Sequence, residues 1–207
     1  MKRSVLLLLL VSNLMLVNML VAQESKSIAQ SRKDNLIEIL NYRFKGGYYT
    51  FEKIFSKTVT YPDIAKANCA IGIAIVAVKV DCEGNVEDVR IKTPLGYGID
   101  SQISIFFNST EGMWNPCKDN KYTKFDIPIQ FVLEGTDTNT EDALLICEDK
   151  NPSFACSPDE YYIKKIEKYM EKKKYRRVIA YLDVMIRRDP YNSVYFEMKK
   201  KAVNGGE

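Results

Sequence analysis

The amino-acid sequence predicts an α+β fold. Two runs of β-forming residues, 73–80 and 86–91, are separated by a turn at Gly84, which is the pattern of an antiparallel hairpin. A third run of the same kind covers 127–133, and apolar residues at helical spacing lie before and between these runs. We therefore expect the central domain between residues 46 and 134.

The composition narrows the class of function. The chain has 207 residues, of which 46% are hydrophobic and 28% charged, as in folded proteins of one or two small domains. It contains no histidine, so serine–histidine triads, cysteine–histidine pairs and histidine metal sites are excluded. The formal net charge of +3 is too small to indicate nucleic acid. We expect a non-enzymatic binding role without a metal, cofactor, nucleic acid or small-molecule substrate.

The first 22 residues have the layout of a secretory signal peptide. Lys2 and Arg3 provide a basic start, an apolar run follows over 5–21, and the small residue Ala22 ends it. Cleavage after Ala22 would place the mature chain in the periplasm. The alternative is a leader retained as an inner-membrane anchor, although the run is short and polar for a span of roughly 20 residues.

Residues 23–45 predict a helical lead-in. Apolar side chains recur three and four positions apart up to Phe44, with Ser31 or Asp34 as the N-cap. Two glycines then end this helix, and the same spacing resumes and continues to Tyr61. We expect these helices to pack on the central domain.

The order of strands predicts where the sheet ends. The run 73–80 is apolar at both alternating sets of positions, which is typical of a strand covered on both faces. A helix is predicted over 98–107. The last strand contains Pro128, which has no N–H to donate, so we expect 126–133 to be an edge strand. Such an edge can bind an extended peptide by β-augmentation.

These residues resemble the TonB C-terminal domain family. The resemblance has no gaps from Tyr61 to Ile91, is looser from 94 to 126, and covers a little under half of the chain. The matching positions are Gly46, Gly47, Phe51, Tyr61, Pro62, Ala65, Gly72, Val76, Val80, Gly84, Val86, Asp88, Val89, Ile91, Trp114, Pro116, Ile127, Pro128, Ile129 and Phe131.

The resemblance implies a domain of two helices on a three-stranded antiparallel sheet. In this family the domain lies in the periplasm and binds a short extended segment of an outer-membrane transporter. It implies docking along the last strand, with the Tyr61–Pro62 corner as a second contact. The partner-binding residues predicted in this way are Tyr61, Pro62, Ile127, Pro128, Ile129, Gln130 and Phe131.

The segment before the domain differs from that of complete energy transducers. Those proteins have an uncleaved anchor and a long spacer rich in proline and lysine, whereas residues 23–45 contain no proline. As a flexible chain this segment would reach only about 25 to 29 Å. We therefore favour a binding module for a transporter segment or another envelope protein. An anchored energy transducer and a scaffold that works through its helical tail are the alternatives, and a homodimer stays open.

The five cysteines of an exported chain permit disulfides, and their odd number leaves one thiol over. Cys69 and Cys82 flank a strand about 25 Å long and cannot pair. The first prediction is a disulfide between Cys147 and Cys156, which bracket a short loop containing proline. The second choice joins Cys82 to Cys117.

The chain continues well past the resemblance. Residues 135–157 have the composition of a linker, and the apolar run 143–147 within them predicts either an added strand or a tether. Residues 158–207 predict a helical hairpin that resembles a single tetratricopeptide unit. The positions that match are Tyr175, Val178, Leu182 and Pro190. A single unit must cap the sheet domain, pair with another copy or bind a partner.

The helical extension is the basic part of the chain. From Asp159 to Glu207 there are 13 lysines and arginines against 8 aspartates and glutamates, a net charge of +5. The usual interpretation is a solvated face, and the alternative is contact with an anionic envelope surface or an acidic partner.

Overall fold

The computed structural model describes residues 28–118, 120–136, 141–150 and 156–206. Helices and one mixed sheet make up this part of the chain, so the α+β class is confirmed. The predicted signal peptide lies outside the described residues. No helix within them is both long enough and apolar enough to cross a membrane.

The sheet has four strands in the order β2-β1-β3-β4. Their bounds are Gly72–Val80 for β1, Val86–Ile91 for β2, Lys124–Leu133 for β3 and Leu145–Asp149 for β4. The predicted antiparallel sheet is present as β2-β1-β3. Within the predicted linker, the apolar run 143–147 leads into β4, which pairs with β3 in parallel. The sheet is therefore larger than the resemblance implies.

Seven helices lie in the described part of the chain. The first, α1, is helical from the first described residue, 28, to 43, so Ser31 and Asp34 lie inside it and the predicted N-cap is wrong. The others are α2 Gly47–Thr58, α3 Asp63–Ala67, α4 Ile99–Asn108, α5 Asp159–Glu171, α6 Tyr175–Arg188 and α7 Ser193–Asn204.

The main core lies between the sheet and the helices α1, α2 and α4. Its centre is a group of aromatic rings around Phe51. The centroid of the Phe51 ring lies 5.0 Å from that of Phe44, 5.0 Å from that of Phe106 and 5.9 Å from that of Trp114, and each pair is edge to face. Such pairs favour one arrangement of the rings beyond the gain from burial. The cluster therefore joins Phe51 of α2 and Phe106 of α4 to Phe44, which follows α1, and to Trp114, which follows α4.

The predicted edge strand is an inner strand. On its second side β3 pairs with β4, where Ile129 lies opposite Leu145 and Leu133 opposite Asp149. The prediction that 126–133 forms the edge of the sheet is thus wrong. The chain supplies its own fourth strand at that position.

Pro128 is tolerated inside the sheet because its nitrogen does not face β1. Its partner across the ladder is Ile75, whose N–H donates to Thr93 Oγ1 at 2.7 Å and whose carbonyl accepts from the N–H of Lys92 at 2.7 Å. Both groups of Ile75 point to the other side, so no hydrogen bond to Pro128 is lost. The carbonyl of Pro128 accepts from the N–H of Leu144 at 2.9 Å, just before β4 begins.

The tail, defined as α5 to α7 with residue 156 onward, folds back onto the sheet. It has a small core of its own, made by Ile166, Val178, Leu182, Met185 and Ala202. The end of α6 lies against the start of β1, and the ring of Tyr191 stacks 3.7 Å from the Arg32 guanidinium of α1. The helical hairpin predicted from the sequence is confirmed, and it caps the sheet domain.

Arg188 fixes the start of α5 against the end of α6. Its side chain is buried and donates to the Asp159 carboxylate at 2.5 Å and to the Ser157 carbonyl at 3.1 Å. The guanidinium also lies 4.6 Å from the Tyr162 ring. A buried charge needs such partners, so this arginine holds the hairpin closed at the end near the sheet.

Two disulfides link distant parts of the described chain. Cys82 is bonded to Cys117, which confirms the second choice, and Cys69 is bonded to Cys156. The predicted pairing of Cys147 with Cys156 is wrong. Cys147 lies in β4 opposite Phe131, and its thiol is free. The pairing of β4 with β3 holds Cys147 in the sheet, whereas Cys156 is bonded to Cys69, just after α3.

Peptide mapping checks the cysteine assignment. We expect non-reducing digests to contain the linked pairs Cys69–Cys156 and Cys82–Cys117, with Cys147 unlinked. Burial raises the pKa of the Cys147 thiol to about 11. At pH 8 the reactive thiolate should therefore be about 100-fold scarcer than for an exposed cysteine, and alkylation correspondingly slower until the protein is unfolded. Rapid alkylation of the folded chain would contradict this environment.

A second measurement tests the contact between the tail and the sheet. A methyl group at Gly72 would overlap the carbonyl of Arg187, and the glycine has a φ of +150°. We expect Gly72→Ala to lower the free energy of unfolding by about 1–3 kcal/mol, as overpacking does elsewhere. Urea unfolding measures this change. Gly96→Ala is the control, since Gly96 has a φ of +75° but no atom within 4 Å. Equal losses in the two variants would mean that the tail contact is not tight.

Candidate protein-binding surfaces

The residues predicted to bind a partner are brought together, but in the interior. Ile127, Ile129, Gln130 and Phe131 have no exposed surface. Their strand is covered by helices on one face of the sheet, and on its outer side by β4. Of these side chains, Ile127, Ile129 and Phe131 fill the main core, and a partner could pair with their strand only after β4 had dissociated from it.

The Tyr61–Pro62 corner is also mainly structural. The Tyr61 ring packs edge to face on Phe131 at 5.4 Å, and its hydroxyl donates to the carbonyl of Ala70 at 3.1 Å. Burial raises the pKa of this phenol above its ordinary value. Pro62 is the N-cap residue of α3 and is half-buried. The corner orients α3 and offers only part of one ring to a partner.

The outer side of β3 shows what an edge of this sheet can bind. The segment entering β4 places Ala143, Leu144 and Leu145 almost completely out of water, with exposures of 0%, 2% and 1%. The Tyr48 hydroxyl lies 3.2 Å from the carbonyl of Leu144. This edge therefore binds an extended segment in parallel, with apolar side chains directed into the core.

The far end of β4 is held by charge. Lys66 of α3 forms ion pairs with Asp149 and, at 3.0 Å, with Asp63. The N–H of Glu134 donates to the carbonyl of Asp149 at 2.9 Å. Apolar anchors at one end and an ion pair at the other thus keep β4 in register.

The opposite edge of the described sheet is β2. In the ladder with β1, Ala77 lies opposite Arg90 and Val78 opposite Val89. Ile75 directs its N–H and carbonyl toward the β2 side, and alternate residues of an antiparallel strand point the same way. The backbone of Arg90 therefore faces β1, and the N–H and carbonyl of Val89 point outward.

A cleft of about 290 Å³ runs beside this edge, between β2 and α4. It is lined by Val86, Glu87, Asp88, Val89, Ser104 and Asn108. Its helix side is polar and uncharged, whereas its strand side carries two carboxylates, of which Glu87 pairs with Lys79 at 2.5 Å. The surface thus combines outward backbone groups, a groove for side chains and a weakly acidic strand.

The other face of the sheet carries alternating charges. A second cleft of about 290 Å³ lies over β1, β2 and β3, and in it Lys92 pairs with Asp126 at 2.6 Å. The side chains around it alternate in sign and are partly exposed, as on a solvated sheet face. We infer no binding site from this cleft.

The described residues with perturbed pKa values are mostly structural. Arg43, for example, is fully buried, and burial lowers its pKa. Its guanidinium donates to the backbone carbonyls of Asp81 at 2.5 Å, Lys121 at 3.3 Å and Tyr122 at 3.4 Å. It thereby ties α1 to the β1–β2 turn and to the segment entering β3. Among the described residues, no group of cysteines and carboxylates could hold a metal ion.

The β2–α4 cleft was not identified from the sequence. One signal was present, since Val86, Val89 and Ile91 are separated by the charged residues Glu87, Asp88 and Arg90. That pattern indicates a strand with one solvated face. It does not reveal which strand ends the sheet, because that depends on the pairing of β3 with β4.

Comparisons of the chain with protein-family models, with curated proteins and with solved structures find no match. The resemblance to the TonB C-terminal domain family therefore rests on the motif residues themselves.

Proposed function

We propose that the chain is a non-catalytic protein-binding module of the periplasm, which docks an extended segment of an envelope protein by β-augmentation. The antiparallel part β2-β1-β3 of the four-stranded sheet is roughly consistent with the arrangement that the TonB resemblance implies, and supports the proposal to that extent. Two disulfides are compatible with an oxidising compartment. An outer-membrane transporter segment is the partner that the resemblance favours.

The free edge of β2 beside the α4 cleft is the observation that supports this proposal. An added strand needs unpaired N–H and carbonyl groups, which Val89 directs outward, and it needs room for alternate side chains. An added strand would run about 4.8 Å from β2, and the cleft between β2 and α4 offers room for side chains beside that edge. We therefore assign the docking edge to β2, and no longer to the strand over 127–133.

Displacement of β4 from β3 is the less favourable route. It would expose Leu144 and Leu145, which are almost completely buried. Burial of each leucine side chain contributes roughly 1.5–3 kcal/mol to stability. A partner that displaced β4 would therefore have to compensate a loss of roughly 3–6 kcal/mol before its binding became favourable. The β2 edge carries no such cost, because its outer side is already open within the described sheet.

The chemistry of the cleft suggests what the segment should look like. Glu87 and Asp88 lie on the strand side, and Ser104 and Asn108 on the helix side. An extended segment with small or apolar side chains facing α4 and a lysine or arginine facing β2 would match this surface. Charge complementarity of this kind sets register and selects partners more than it adds affinity.

Photocrosslinking in the producing cells tests the location. A benzoylphenylalanine at Ser104 or Asn108 should crosslink to an envelope protein, which mass spectrometry then identifies. The same residue at Lys57, an exposed position on α2, is the control and should give no such product. Crosslinks at Ile146, which is 44% exposed on β4, in place of those at the cleft would move the docking site to the other edge.

A backbone substitution then tests the mode of binding. Val89→Pro removes an N–H that points outward, so the ladder with β1 should persist. We expect the affinity for a synthetic peptide of the crosslinked segment to fall about tenfold or more. Val89→Thr keeps the N–H and should bind like the original chain. Calorimetry measures both, and unchanged binding by the proline variant would exclude strand addition at β2.

A further inference from the structure

One end of the tail collects an unusual amount of positive charge. The helices α5, α6 and α7 alternate in direction, and Gly205 at the end of α7 lies beside the ring of Tyr175 at the start of α6. The end of α5, the start of α6 and the end of α7 therefore meet. This basic end consists of Lys168, Lys172, Lys173, Lys174, Arg176, Arg177, Lys200 and Lys201.

The basic end is far from the tail's contact with the sheet. The tail touches β1 through Arg187, twelve residues after Tyr175 on α6. At 1.5 Å per residue this separation is about 18 Å along the helix axis. Glu171 at the end of α5 is one carboxylate at this end, against eight cations. Asp159 and Asp189 are at the end near the sheet, and Asp183 pairs with Lys199 at 2.7 Å.

Helix stabilisation explains only part of this cluster. Cations near the ends of α5 and α7 are favoured by the helix dipole, so Lys168 and Lys201 have a structural reason. The start of α6 is different. Arg176 and Arg177 lie in its first turn, which contains no acidic residue, and there the dipole disfavours cations.

The chain thus carries a charge arrangement that costs stability. Between 172 and 177, five of six residues are cationic, and all five side chains are exposed. Arg177 donates to the Tyr169 hydroxyl at 3.2 Å, which is a neutral partner and does not offset the charge. An anionic surface outside the chain would offset both the repulsion and the dipole.

We propose that this basic end binds the surface of an anionic phospholipid membrane. Six of its eight cations are lysines, which act as hydrated point charges, whereas specific phosphate or carboxylate sites favour the planar fork of arginine. The charges lie on the end of a helical hairpin, where several can face a broad surface at once. Val203, 43% exposed on the last turn of α7, adds an apolar contact at the same end.

Membrane contact at this end would orient the whole molecule. With the tail resting on lipid headgroups, the sheet and its β2 edge would stand about 18 Å or more away from the surface. Membrane binding through the basic end does not require β-augmentation, because the basic end and the β2 cleft share no residues.

Vesicle sedimentation with the purified chain tests the proposal. We expect binding to vesicles of phosphatidylcholine with 30% phosphatidylglycerol, little binding to phosphatidylcholine alone, and a steep loss between 50 and 300 mM salt. The variant K172E/K173E/K174E should bind at least about 100-fold more weakly, since each cation near such a surface contributes roughly a fivefold gain and each new carboxylate is repelled. A glutamate in place of Lys174, the N-cap of α6, favours the dipole of that helix, whereas one in place of Lys172, the C-cap of α5, disfavours the dipole there. Circular dichroism of the variant therefore checks that it is folded before binding is compared.

A matched variant separates local from overall charge. K53E/K57E/K121E changes the net charge by the same amount, and its three lysines are exposed on the sheet domain. It should retain binding within about threefold. Equal loss in both triple variants would show that net charge alone acts, and equal binding to both vesicle types would remove the electrostatic basis. Retention on immobilised polyglutamate without vesicle binding would assign the end to an acidic protein and overturn the proposal.

Discussion

The parallel pairing of β4 with β3 is the contact on which the rest of the arrangement depends. Neighbouring parallel strands need a long connection, which residues 134–144 provide. The pairing makes β3 an inner strand and brings Asp149 to Lys66 of α3. From there the chain reaches Cys156 close enough to bond with Cys69, and the tail begins. Without β4, both the tail and this disulfide would lose their route back to the sheet.

Local signals in the sequence predicted local structure well. The hairpin of β1 and β2 follows from alternating Val and Ile residues around Gly84, and the structure has it at nearly the predicted positions. Pro128 misled because its effect depends on the side that its nitrogen faces, which only the pairing partners decide. The predicted disulfide between Cys147 and Cys156 was wrong for a similar reason. The two residues are close in sequence, but the pairing of β4 holds Cys147 in the sheet and Cys156 is bonded to Cys69.

The docking of the tail shows the same limit. Periodic apolar residues predicted the helical hairpin, and its small core around Leu182 is what they specify. The contacts that close the hairpin and hold the tail against the sheet domain are made by single residues, which form no periodic pattern in the sequence. Gly72 leaves room for the Arg187 carbonyl, Arg188 closes the hairpin, and Tyr191 covers Arg32. Each of these contacts exists only once the two surfaces that it joins lie together, so the periodicity of apolar residues in the sequence cannot predict it.

The two sides of the sheet differ in what they can safely leave open. An unpaired edge invites association with other chains, and proteins protect such edges with cover or with charge. The β3 edge, with fully buried Ile129 and Phe131 beside it, is the apolar one, and β4 covers it. The β2 edge is protected by Glu87 and Asp88 instead. These carboxylates repel an acidic strand and attract one that carries a lysine or arginine at the matching position. The edge left open in the described sheet is therefore the one whose charge can select among added strands.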